Sequence, residues 1–157
     1  MTWDEYVQRG IPGRIEAARS GLNPTVITRL STGWVLLGDS QLIPGYALLL
    51  ADPIVPRLED LGVAERLAFL NDMMRLGAAL QTVTRCARVN YGIFGNTDPF
   101  LHAHVWARYD WEPPERRAHP VWLYPASERA ASDVQLHPER HCALLEGIRR
   151  ELEPPQH

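Results

Sequence analysis

Lysine is missing altogether: all 16 basic residues are arginine. A preference for arginine in two-pronged phosphate contacts does not explain this, because it would not empty every surface position of lysine. A compositional bias does. Cysteine is nearly missing too. Cys86 and Cys142 lie far apart with no Cys-x-x-Cys spacing, which excludes a secreted disulfide scaffold and a cysteine-rich zinc module. No stretch approaches the roughly 18 apolar residues that span a bilayer. Residues 1–5 carry early acids and no apolar run, so no secretory leader is expected there. Excess positive charge is also absent. A formal net charge of -3 gives no electrostatic case for wrapping nucleic acid or coating an anionic membrane. The expectation is a soluble, cytoplasmic protein that binds neither nucleic acid nor membrane.

What is present is a chain of 157 residues, 45% of them hydrophobic, enough to bury a core. No internal repeat or domain boundary stands out, so a single domain over 1–157 is expected. Thr2 and Glu5 resemble a capping box, opening a short helix that Gly10 and Pro12 stop. Short apolar runs at 26–30, 34–38 and 46–50 follow, separated by Ser31-Thr32-Gly33 and by a turn-rich stretch over 39–45, as in an antiparallel meander. A helix is expected over 63–84, where Phe69, Met73, Leu76, Leu80 and Val83 recur at steps of three and four. Two more strands are expected at 88–94 and 101–109. Beyond Asp110 the chain is rich in proline and aromatics and is expected to lie flat over the body, before a last helix over 137–152. Strands, one long helix, then strands again define an α+β domain, an antiparallel sheet with that helix packed on it.

The segment from Gly95 to Tyr109 bears most on function. Leu101, Ala103, Val105 and Ala107 alternate with His102, His104, Trp106 and Arg108. A strand sends alternate side chains to one face, so both imidazoles share it. On a helix they would diverge by about 200°. Two histidines roughly 6 to 7 Å apart along a strand, with Asn96, Thr97 and backbone N–H groups of the preceding turn nearby, suit a phosphate group. An unprotonated imidazole is a competent nucleophile at phosphorus near neutral pH.

These residues resemble the histidine triad (HIT) family of nucleotide hydrolases and transferases. Its signature is His-x-His-x-His, with a Gly-Gln or Gly-Asn turn upstream and an arginine downstream. Gly95-Asn96 and Arg108 fit that pattern, with Phe100, His102 and His104 at the three histidine positions. A second stretch, Asp39 to Leu50, looks like the family's early hairpin, in which an acid binds the ribose and Pro-Gly begins a strand. Asn90 sits near a family asparagine that approaches the phosphate. The resemblance covers roughly 26–110, leaving 111–157 as an extension. It implies a HIT-like fold, His102 as the nucleophile at the α-phosphate and His104 as its phosphate-contacting partner. It also implies substrate contacts from Asp39, Asn90, Asn96, Thr97 and Arg108. The implied substrates are dinucleoside polyphosphates and adenosine phosphoramidates. The implied partner is a second copy of the chain, in a homodimer. No cofactor is required, although Mg²⁺ can accompany a polyphosphate substrate. The chain departs from the family at Phe100 (first histidine), at Ala107 (usually proline), at Tyr46 (often histidine after Pro-Gly) and near Ile54 (an upstream histidine).

Each residue also has a plainer role. The histidine pair can be a polar strand face, or two zinc ligands completed by Asp98, His119 or a distant cysteine. A catalytically weak nucleotide sensor would keep the same pocket. Asp39 and Asn96 suit ordinary turns. Arg108 can pair with Asp110 or Glu112, and Trp106 can pack or stack on a base. His119, His137, His141 and His157 read as surface residues. The 111–125 segment can cover an edge strand or reach a neighbouring site.

Overall fold

Each of the five apolar runs forms a strand: β1 Val26–Leu30, β2 Gly33–Leu37, β3 Ala47–Ala51, β4 Arg88–Ile93 and β5 His102–Arg108. In the computed structural model, which describes residues 10–153, they make one antiparallel sheet in the order β1-β2-β3-β5-β4. The capping box at Thr2 and Glu5, and His157, lie outside the described residues. The short helix expected before Gly10 lies there too. Gly10 and Pro12 stand at the start of a further helix, α1 Ile11–Arg19, since a first-turn proline gives up an N–H that would have no partner and presets the helical φ.

The long helix, α2 Val63–Thr84, has the expected bounds. Glu65 accepts the Gly62 N–H at 3.0 Å at its start, and Arg85 ends it in the left-handed region at φ 52°. Phe69, Leu76 and Leu80 bury against Ala47, Leu49, Ala103 and Val105 on one face of the sheet, with Met73 and Val83 at the margin. The buried Asp72 carboxylate ties this helix to the β1–β2 turn. It accepts from the Ser31 hydroxyl at 3.0 Å, and from the Thr32 N–H at 3.2 Å and hydroxyl at 2.9 Å, while Arg75 balances its charge.

The other face carries Leu36, Leu48 and Leu50, which α1 covers through Ile15. After β5 the chain crosses this same face as a strap, through α3 Pro114–Arg117, a 3-10 turn Val121–Leu123, α4 Ala126–Arg129 and a second turn Ser132–Val134. It is pinned where the Gln41 N–H donates to the Val134 carbonyl and the Leu136 N–H to the Asp39 carbonyl, each at 2.7 Å. The last helix, α5 Cys142–Leu152, packs Leu145, Ile148 and Leu152 into the main core. It starts later than residue 137 because residues 137–141 form a turn closed from the His141 N–H to the His137 carbonyl at 3.0 Å. No helix among the described residues is long and apolar enough to cross a membrane.

Candidate active site

Between α1 and the strap the second face stays open, as a cavity of about 940 Å³. Its floor is made by β5 and the start of β3. The register sets His102 opposite Leu50 and His104 opposite Leu48, so the two-residue alternation sends His102, His104 and Trp106 to the cavity while Ala103 and Val105 enter the core. The hairpin residues Asp39, Ser40, Leu42 and Ile43 form one wall, the turn Gly95–Asp98 another, and Val121, Trp122, Arg129 and Gln135 of the strap a third.

His102 is buried, with Nδ1 2.7 Å from the Phe100 carbonyl. A carbonyl only accepts, so Nδ1 carries the proton and Nε2 keeps its lone pair. The His104 ring lies 4.7 Å away, centroid to centroid, tilted by 69°. Its Nδ1 is 2.7 Å from the Tyr46 hydroxyl. Burial, and then the neighbouring His102, pull the His104 pKa down to about 4, so this ring is uncharged near neutral pH. Burial first, and the Asp39 charge second, push the Tyr46 hydroxyl well above its ordinary value, so it remains a phenol. With that phenol donating to Nδ1, His104 presents Nε2–H as a donor.

Tyr46, His104 and Trp106 form a cluster of nearly parallel rings, with centroids 5.9 Å apart between Tyr46 and His104, 5.1 Å between His104 and Trp106 and 5.2 Å between Tyr46 and Trp106. Two glycines make room for this cluster. A Cβ on Gly38 would lie 2.1 Å from the Tyr46 ring, and Gly45 turns the chain into β3 at φ +95°, a conformation costly for other residues. Phe94 and Trp122 meet edge to face at 4.8 Å, and Trp122 leans on Trp106 at 5.1 Å.

Of the seven residues singled out in the sequence, five line the cavity: His102, His104, Asp39, Asn96 and Thr97. Asp39 is held by Arg14 through both carboxylate oxygens, at 2.7 and 2.6 Å. Arg108 and Asn90 are not brought there. Arg108 is buried at the far end of the same strand face, where Nε and Nη2 grip Glu112 at 2.9 to 3.2 Å. Its Nη1 binds Asn90 Oδ1 at 3.1 Å and the His119 carbonyl at 2.8 Å. Burial works against the Glu112 carboxylate, yet its bonds from Arg108 and Tyr124 outweigh that and hold its pKa below the usual value. Arg108 thus anchors the strap, and with Asn90 it lines a separate cavity of about 730 Å³.

Sequence reasoning did not assign Tyr46, Phe94, Trp122 or Arg129 to the site. Tyr46 has a readable signal, since it shares the two-residue alternation with Leu48 and Leu50. The strap residues have none, because no local periodicity says where the strap crosses. A zinc site needs a third protein ligand, and the described residues contain no group of three or more His, Cys, Asp or Glu able to hold a metal ion.

No family model matches this sequence, and no curated protein matches it either. Solved structures do. Histidine triad proteins from Bradyrhizobium japonicum and Sinorhizobium meliloti superpose with TM-scores of 0.68 and 0.67, each at 22% identity. The first match covers 82% of this chain and 90% of the relative, the second 81% and 88%. A crystal structure described as a hypothetical histidine triad nucleotide-binding protein, from Sulfolobus tokodaii, matches with TM-score 0.67 at 10% identity, over 89% of this chain and 91% of that one. The backbone path is shared over most of each of these chains: this chain has the histidine triad fold.

Proposed function

We propose that this protein binds nucleoside phosphates in the cavity and hydrolyses them at the α-phosphate through a nucleotidyl intermediate on His102. The observation that carries this reading is the His102 tautomer. Its Nδ1–H is engaged by the Phe100 carbonyl, which leaves the Nε2 lone pair as the reactive atom beside a space large enough for a nucleotide. That hydrogen bond holds the ring in one orientation, with Nε2 as the atom free to attack.

In the first step a bond forms from His102 Nε2 to the α-phosphorus, and the bond from that phosphorus to the leaving group breaks, its electron pair departing with the leaving group. A phosphate leaving group departs as an anion; an amine leaving group takes up a proton. In the second step water attacks the same phosphorus, the nitrogen–phosphorus bond breaks, and Nε2 recovers its lone pair as the mononucleotide and a proton are released. His104 Nε2–H, Asn96 and Thr97 are neutral donors for the phosphate oxygens. Asp39, steadied by Arg14, accepts from the ribose hydroxyls, and the aromatic floor and strap hold the base. The neighbouring Sulfolobus tokodaii protein, described as nucleotide-binding, points the same way.

Phe100 favours a second reading, a nucleotide sensor with little turnover. At the position of the first family histidine this side chain packs with the apolar cluster around Leu48 and Leu50 and offers no proton. One experiment separates the two. Diadenosine polyphosphates and adenosine phosphoramidate are incubated with the parent and with His102→Ala, and mononucleotide release is followed alongside nucleotide binding by thermal shift. Release by the parent alone supports the hydrolase. Binding with no release by either supports the sensor, and equal release by both removes His102 as nucleophile. The homodimer belongs to the same reading. The exposed Val63, Leu67 and Met74 on the outer side of α2 are the apolar surface it would bury, and light scattering of the purified chain gives the mass directly.

A further inference from the structure

Apart from the histidines, the cavity wall holds one basic side chain among the described residues, Arg129 of α4. The other charged groups there are the carboxylates of Asp39, which Arg14 already balances, and Asp98 on the exposed turn. Any anion entering this cavity therefore finds its countercharge at Arg129 or not at all. We propose that Arg129 binds a second phosphate of the substrate, one linkage beyond the phosphate at His102, and so selects nucleotides with an anionic leaving group over those with a neutral one. This deepens the nucleotide reading above and rests on it.

The local structure keeps this guanidinium available. Glu128, the adjacent acid that would otherwise neutralise it, is gripped by Arg116 through both oxygens at 2.6 and 2.9 Å. Arg108 of β5 and the strap arginines Arg116 and Arg117 each pair with a carboxylate, whereas Arg129 pairs with none among the described residues. Its Nε–H donates to the Tyr124 carbonyl at 3.1 Å, which fixes the plane of the group and leaves the two terminal nitrogens without a hydrogen-bond partner among the described residues. Two parallel N–H donors in one plane match two oxygens of a phosphate.

The anchors behind Arg129 are themselves held. Tyr124 donates its hydroxyl to buried Glu112 at 2.6 Å, and Gln135 Nε2 donates to the Arg129 carbonyl at 3.1 Å. Gln135 in turn bridges to Ser40 across the cavity rim. Arg129 and Tyr46, the ring partnered with His104, line the same cavity. An ordinary surface arginine has neither the fixed plane nor the paired-off neighbour.

The test is calorimetric titration of AMP and of α,β-methylene ADP, a non-cleavable diphosphate, into the parent, Arg129→Gln and Arg129→Lys. The parent is expected to bind the diphosphate about tenfold tighter than AMP, the scale of one charge-assisted pair of bonds. Arg129→Gln brings the two affinities within about twofold, chiefly by weakening the diphosphate, and Arg129→Lys keeps part of the preference. No preference in the parent, or a preference that survives in Arg129→Gln, overturns the inference. Arg129→Lys decides the matter if the glutamine variant does not fold, since full retention of the tenfold preference would contradict a two-pronged contact. An Arg129-dependent preference without any turnover leaves the inference standing and removes the hydrolase. Failure of the parent to bind either nucleotide removes both.

Discussion

The two ends of one strand face behave differently. At one end of β5, His102 and His104 look into open space, with one ring nitrogen of each engaged within the chain. At the other, six residues on from His102, Arg108 is surrounded by Glu112, Asn90 and three backbone carbonyls and lies away from the histidine cavity. Both ends are polar and both obey the same alternation. The difference lies in what returns to cover them. The strap brings a carboxylate to Arg108, which completes a buried ion pair. Above the histidines it brings aromatic rings and a guanidinium that stand back from the floor. Alternation selects the face, and the returning chain decides whether a polar side chain on it becomes structure or chemistry.

Four changes break or sharpen that contrast. The largest effect is expected from His102→Ala, which removes the nucleophile. Turnover of a diadenosine polyphosphate should fall by about a thousandfold or more, with nucleotide affinity changed only a few-fold by titration. At the other end, Arg108→Ala leaves the Glu112 carboxylate buried and uncompensated. Chemical denaturation should show a loss of about 3–5 kcal/mol, and activity per folded molecule should persist below the unfolding midpoint.

Acid should weaken the histidine end selectively. His104 has a folded pKa near 4 against an ordinary 6.5, so between these values the unfolded state binds the extra proton. Stability therefore falls as pH drops from about 6.5 towards 4, by up to roughly 3 kcal/mol at this one group. His104→Asn, which does not titrate, should flatten that part of the stability–pH curve. The smallest effect is expected from Tyr46→Phe, which deletes the hydroxyl facing His104 Nδ1. A loss of about 1 kcal/mol in stability and a lower kcat with near-parent KM are expected, measured by thermal melts and steady-state kinetics.

Much of this was legible in the residues. Five strands and the long helix follow from period-two and period-four patterns, and the helix bounds at Val63 and Thr84 agree because Gly62 and Arg85 punctuate it. Pro12 was ambiguous, since the same residue that ends a helix interior is welcome in a first turn. At the site, His102 and His104 were legible because two-residue spacing places them on one face whatever else the chain does. Arg108 and Asn90 had the right parity too, but their fate depended on Glu112, which returns to the sheet through a turn that carries no periodic signal. Arg129 was hidden for the same reason. Its position in the cavity wall depends on where the strap is pinned at Ser40 and Gln41, a long-range pairing between irregular segments.

Covalent attack by His102 is tested most directly by a single turnover with substrate labelled at the α-phosphate, quenched in alkali, where a phosphorus–histidine bond survives. The label is predicted on the parent chain, in the peptide carrying His102, within the lifetime of one turnover, and absent from His102→Ala. Product released by the parent in full while no label ever appears at His102 would contradict it.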